Sequence, residues 1–233
     1  MKILGFIPAR GGSKRIPNKN IAMLGGKPLI AHTIEAMKKS KYINRIVVST
    51  DSPRIARVAK RYGAEVPFMR PKNISKSDST ELEFFDHALN WFEKFEKYEP
   101  DLIVMLFTTS PFRKVKSIDE AIERMIKNPQ ADSLKSVRLC SEHPYKMWTI
   151  EKGYLKPFVE TADFNDHTLA YHLLPVVYIQ NASIYITKPS TIKIKGSPTG
   201  DIIIPYVMSE DESFDINNPL DLKIAGKLIK KIN

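Results

Sequence analysis

The chain has 233 residues, 42% of them hydrophobic, which is enough for one large domain with a well-buried core. No apolar run reaches the ~20 residues of a membrane span, no signal peptide is read at the start, and the single cysteine, Cys140, excludes an internal disulfide framework and fits a reducing cytoplasm. The formal net charge of +10 favours anionic partners, but the lysines are spread along the chain and no zinc-ligand spacing, stacking motif or basic tail points to nucleic acid.

In chain order, Ile3, Leu4, Phe6 and Ile7 predict a buried strand over residues 2–8. It opens into IPARGGSKRIPNKN at 7–20, which holds the adjacent Gly11 and Gly12 and four cations, Arg10, Lys14, Arg15 and Lys19. Glycines let a backbone turn tightly and bring N–H groups against a ligand, and the cations supply the charge that phosphates require. The loop is neither GxxxxGK[ST] nor GxGxxG, and on composition alone a solvated basic turn is the alternative.

A helix is expected over 28–40, with Pro28 in its first turn, then a strand over 45–50, a helix over 53–62, a strand over 64–68 and a helix over 80–97. The unbroken apolar run 102–107 reads as a central strand buried on both faces, followed by a helix over 117–127 and a strand over 132–137. This alternation predicts an α/β fold, a mostly parallel sheet with helices on both faces. Residues 138–181 break the rhythm with scattered aromatics, Pro144, Pro157, Pro175 and a hairpin turn near 151–153. They read as an arm or lid on a single domain spanning 1–233. Strands over 183–187 and 202–207 and a helix over 219–232, with lysines on a solvated face, complete the pattern.

Ligands of open parallel sheets sit beyond the carboxyl ends of the strands. The basic loop after Pro8, Ser49-Thr50-Asp51 and Thr108-Thr109-Ser110 are therefore expected to converge. Asp215 and Asn217 fall on one side of an extended segment and could share a divalent cation. Equally, Asn217 or Asn218 could cap the helix that starts at Pro219. Asp51 either joins the site or caps the helix near Pro53; Asp78 is a further carboxylate, and His143 and His172 are acid–base candidates.

The ordered motifs IPARGGSKRIPNKN, VVSTD at 47–51, VPFMRP at 66–71, TSPFR at 109–113, HPYK at 143–146, LP and NASIYI across 174–186, and FDINNPLDL at 214–222 extend over nearly the whole chain. In them the chain resembles the acylneuraminate cytidylyltransferases, the CMP-sialic acid synthetases. The resemblance implies a nucleotide-diphospho-sugar-transferase-like fold and transfer of CMP from CTP to the anomeric hydroxyl of a sialic-acid-like 2-keto sugar acid, with release of pyrophosphate. It further implies Mg²⁺ as cofactor and a cytoplasmic homodimer whose arm is 138–181, with neither nucleic acid nor membrane as partner. Taken with the reading of the residues themselves, Arg10, Lys19 and Asp215 are expected in catalysis and Arg10, Gly11, Gly12, Ser13, Lys19, Asn20, Arg70 and Thr80 at the nucleotide. Lys146, His172 and Asn181 go to the sugar, and Asp215 and Asn217 to the metal.

The departures from that pattern carry information as well. Asn217 stands in place of a second metal aspartate, and Phe107-Thr108 in place of the Gln-Pro that often precedes Thr-Ser-Pro. Tyr171-His172 and Ile179-Gln180 stand where arginines are common. Bidentate carboxylate pairing is hard to replace, so an acceptor other than ordinary N-acetylneuraminate is expected. The competing readings are a sugar nucleotidyltransferase with another nucleotide or acceptor, and a nucleotide-binding homologue with weakened catalysis.

Overall fold

The computed structural model describes residues 1–160 and 164–232. Its elements run β1 (Ile3–Pro8), the short hairpin β2 (Met23–Leu24) and β3 (Lys27–Pro28), α1 (Leu29–Lys39), β4 (Arg45–Ser49), α2 (Pro53–Arg61), α3 (Glu81–Glu96), β5 (Leu102–Met105) and α4 (Val115–Ile126). There follow β6 (Ser133–Leu139), β7 (Trp148–Glu151), β8 (Tyr154–Pro157), β9 (Tyr178–Thr187), α5 (Pro189–Lys195), β10 (Ile203–Val207) and α6 (Pro219–Ile232). Six strands form one sheet in the order β10-β6-β9-β5-β1-β4. β1 is parallel to β4 and β5, β6 is parallel to β10, and β9 lies antiparallel between β5 and β6.

Alternation along β1 shows how the sequence fixes two covered faces. Ile3 and Ile7 turn to one side, where Ile30 and Ile34 of α1, Ile55 of α2 and Ile118 and Ile122 of α4 pack. Leu4 and Phe6 turn to the other, against Phe84, Phe85, Leu89 and Phe92 of α3. The expected architecture, a mostly parallel sheet between helical layers, is the one found.

Several boundaries differ. Residues 64–68 form no strand: Glu65 makes one isolated bridge to Val47, and Pro67 has no N–H with which to continue a ladder. Pro28 ends β3 instead of opening α1, which starts at Leu29. β9 begins at Tyr178, inside the segment read as an irregular insert, and the short α5 after it was not anticipated. The insert does contain the expected hairpin, β7 paired with β8 through Lys152 and Gly153, both at positive φ. Ile150, Tyr154, Leu155, Phe158, Leu173 and Val176 are exposed there. No helix among the described residues is long and apolar enough to cross a membrane.

Candidate functional site

β1, β4 and β5 end at one edge, and short polar contacts join the loops that leave them. Ala9 N–H continues the β1–β4 pairing to the Ser49 carbonyl at 2.9 Å. The Asn20 amide donates to the Arg10 carbonyl at 2.8 Å while its oxygen accepts from the Thr108 hydroxyl at 2.6 Å. Ile216 N–H reaches the Thr109 carbonyl at 2.9 Å, and Lys19 Nζ donates to the Ile216 carbonyl at 3.0 Å. The three loops expected to converge do so, and the segment carrying Asp215 is held against two of them.

Between these loops lies a cleft of about 480 Å³, bordered by Arg10, Lys14, Arg15, Lys19, Arg70 and Lys76, with Glu81 the one carboxylate on its walls among the described residues. Ser13, Asn20, Thr108, Thr109 and Asn217 border it too. Burial lowers the Lys19 pKa, with Arg15 and Arg10 adding repulsion and Asp215 opposing them. Arg70 is fixed from behind: Nε donates to Ser49 Oγ at 3.0 Å, Nη2 to the Ser49 carbonyl at 2.7 Å, and the guanidinium lies 4.9 Å from the Phe84 ring centroid. Burial pulls its pKa down to about 10, against the pull of Asp51. Cations crowded at this density lower their mutual repulsion by taking up a polyanion.

Three residues expected at the nucleotide stand off this cleft. Gly11 and Gly12 do not border the cleft, and neither has positive φ. The Gly11 N–H donates to Asp51 Oδ1 at 2.7 Å instead of pointing to a ligand. Its missing Cβ matters because one would sit 3.1 Å from the Ser52 Cβ. Thr80 is exposed and also stands off the cleft: its hydroxyl accepts from Glu83 N–H at 3.3 Å and the Glu83 carboxylate accepts from Thr80 N–H at 2.6 Å, the reciprocal box that starts α3. Ser77 and Ser79 border the cleft in its place. Asp51 is no helix cap; Ser52 Oγ caps α2.

A second hollow, also about 480 Å³, adjoins the first at Asn217, which borders both. Arg138, Ser141, Gln180, Asn181, Glu210 and Asp215 are on its walls. The hollow exists because β9 bulges: between the pairs Lys135–Tyr185 and Val137–Gln180, Ser136 alone faces residues 181–184. Ser136 Oγ donates to Asn181 Oδ1 at 2.6 Å and accepts from Ile184 N–H at 2.7 Å. Ala182 there has a φ of 50°. Arg113, a buried residue, clamps the bulge by donating to Ser183 Oγ at 3.1 Å and to the Phe107 carbonyl at 3.0 Å. Burial lowers its pKa to about 9, while Asp215 and then Glu212 favour its charge.

At the junction, Asp215 Oδ2 accepts from the Asn217 amide at 2.7 Å, whereas the buried Oδ1 finds no hydrogen-bond partner among the described residues. Asn218 caps α6, accepting from Leu220 and Asp221 N–H, and Asp221 accepts in return from Asn217 and Asn218 N–H. Asn217 is thus left to face the cleft. No cluster of three or more His, Cys, Asp or Glu gathers among the described residues. One carboxylate with an unpartnered buried oxygen beside an amide suits Mg²⁺, a hard cation that binds one or two carboxylates and takes other ligands from phosphate and water.

The remaining expected residues lie apart. Lys146 Nζ donates to the carbonyls of His167 and Leu169 at 3.1 and 2.7 Å, and His172 is exposed; neither is on the walls of these two hollows. Asn181 borders the second hollow, but its amide is held by Ser136, Ser213 and Met208. His143 has both ring nitrogens engaged, with the Pro175 carbonyl and Tyr145 N–H. Sequence reasoning missed Lys76, Ser136 and Arg138. Arg113 lay in plain view within TSPFR without a role.

A cationic cleft at the carboxyl edge of a mostly parallel sheet defines the class, an α/β protein with a polyanion site. Residues 4–210 match the family model described as Cytidylyltransferase, and the chain belongs to that family. It is similar to a CMP-N,N'-diacetyllegionaminic acid synthase of Legionella pneumophila, 36% identical across 99% of this chain and 97% of that one. It is also similar to a pseudaminic acid cytidylyltransferase of Campylobacter jejuni, 31% identical across 100% and 98% respectively. The solved CMP:2-keto-3-deoxy-manno-octonic acid synthetase complexed with CTP superposes with a TM-score of 0.71, covering 100% of both chains, and at 16% identity it attests the fold.

Proposed function

We propose that this protein transfers CMP from CTP to the anomeric hydroxyl of a sialic-acid-like 2-keto sugar acid, releasing pyrophosphate, as a Mg²⁺-dependent cytoplasmic homodimer. The observation that carries this reading is the meeting of a six-cation cleft and a second, mixed-charge hollow at Asp215 and Asn217. The two relatives support it, since the names of both concern cytidylyl transfer to acids of this kind. The exposed apolar side chains of the β7–β8 hairpin support an arm that a second copy covers, and the lone cysteine suits the cytoplasm.

In this reading the acceptor oxygen bonds to the α-phosphorus as the bond to the departing pyrophosphate breaks, and the hydroxyl proton passes to solvent. Arg10 and Lys19 neutralise charge that grows on the leaving group. Ser13 and Asn20 contact the nucleotide, and Arg70, immobilised by Ser49 and Phe84, meets its base or ribose. Asp215 and Asn217 would hold the cation, which when bound supplies positive charge at the α-phosphate and acidifies the attacking hydroxyl. Asp215 in turn favours the charged form of the buried Arg113.

Pyrophosphate release with each ribonucleoside triphosphate, against N-acetylneuraminate, N,N'-diacetyllegionaminic acid and pseudaminic acid, tests the reading. Turnover with CTP alone is expected, with N-acetylneuraminate the poorest acceptor. Preference for UTP or GTP, or for a sugar phosphate over these acids, overturns it.

A further inference from the structure

The second hollow constrains how an acidic acceptor can lie in it. Among the described residues, three ionisable side chains border it: Arg138, Glu210 and Asp215. Asp215 already faces the charges of Arg113 and Lys19. That leaves Arg138 as the hollow's one cation among the described residues. Its Nη1 donates to the Leu139 carbonyl at 3.0 Å and to Ser141 Oγ at 3.4 Å. Nε and Nη2 donate to no group among the described residues, so one edge of the guanidinium fork is open. Glu142 feels the charge, but it is hydrogen-bonded to Ser141.

The sheet register adds a second argument. Arg138 is the direct partner of Ile179 in the β6–β9 ladder, and directly opposed residues of an antiparallel pair project to the same face. At 179–180 an arginine was expected from the resemblance and is missing. A guanidinium nevertheless stands at that rung, supplied by the neighbouring strand.

We infer that Arg138 binds the carboxylate of the acceptor and so selects 2-keto sugar acids and orients them for attack; this rests on the function proposed above. In such a sugar the carboxyl carbon is bonded to the anomeric carbon. Anchoring the carboxylate therefore fixes the nucleophilic hydroxyl one carbon away, within a hollow whose other side is Asp215 and Asn217. Glu210, of opposite sign, repels an acceptor bound the other way round. Ser141, which touches the same guanidinium, holds the fork in place.

The test is steady-state kinetics of Arg138→Gln and Arg138→Lys with CTP and the best acid of the panel, alongside the same acid converted to its primary amide. The acceptor KM is expected to rise about 10- to 100-fold in Arg138→Gln, the range for a lost charge-assisted hydrogen bond. Arg138→Lys should recover part of it, with CTP KM and melting temperature unchanged in both. The amide should be a poor acceptor for the wild type and should lose little more in Arg138→Gln. An unchanged acceptor KM in a folded Arg138→Gln, with the wild type active, overturns this inference alone. A wild type that turns over none of the acids overturns the proposed function, and this inference with it.

Discussion

Asn217 is one amide shared by two hollows, and its chemistry is testable in isolation. Asn217→Asp removes the donor that Asp215 Oδ2 accepts and sets two carboxylates side by side. The metal-free protein should lose about 1–3 kcal/mol, while Mg²⁺ should raise its melting temperature more than it raises that of the wild type. Equal Mg²⁺ shifts in both proteins would remove residue 217 from the cation site. Lys19 titrates with a definite sign. Its ammonium is the phosphate-binding form and its pKa lies below the ordinary lysine value, so kcat/KM for CTP should fall at lower pH than an unperturbed lysine would dictate. Lys19→Arg should move that alkaline limb upward in a pH–rate profile. At this scale the cleft was largely legible: Arg10, Ser13, Lys19, Asn20 and Arg70 do meet, because each sits in or beside a loop that follows a parallel strand. Thr80 was misread although the sequence held the clue, a Thr followed three residues later by Glu83 at the start of a helix. Arg138 was not legible, since nothing local separates it from the other basic residues; only the ladder gives it a place.

Among the elements, β10 depends on a glycine. Gly200 has a φ of +69°, and a Cβ there would lie 2.4 Å from the Asp132 Cβ. Gly200→Ala should cost more than about 1 kcal/mol in urea unfolding. Asp132 explains the tightness, since its carboxylate accepts from Asp201 and Ile202 N–H and from Lys195. These contacts, backbone N–H of Ile202 foremost, hold its pKa down to about 2. A depressed carboxylate stabilises above its unfolded value of about 3.9 and loses that contribution as pH falls toward 2. The urea midpoints of wild type and Asp132→Asn should therefore differ steadily down to about pH 4 and converge below it. A difference that persisted unchanged into acid would rule out the linkage. Parallel strands and amphipathic helices were readable because their periodicity is local. The start of β9 and its bulge were not, because both are set by partners distant in the chain.

For the whole molecule, the exposed apolar hairpin gives the clearest expectation. Tyr154→Glu with Leu155→Glu should convert a dimer to a monomer in sedimentation equilibrium, and a wild type that sediments as a monomer would discard the arm's proposed role. The antiparallel strand in mid-sheet has a consequence for biosynthesis. β4, β1 and β5 can zip together once Met105 has left the ribosome, yet nothing joins them to β6 until Thr187 emerges. At ordinary translation speeds that leaves the wholly apolar edge Leu102–Met105 unpartnered for roughly 5–15 s. Nascent chains stalled before Tyr178 should accordingly be chaperone clients, and a stop codon there should yield inclusion bodies in place of a smaller soluble product.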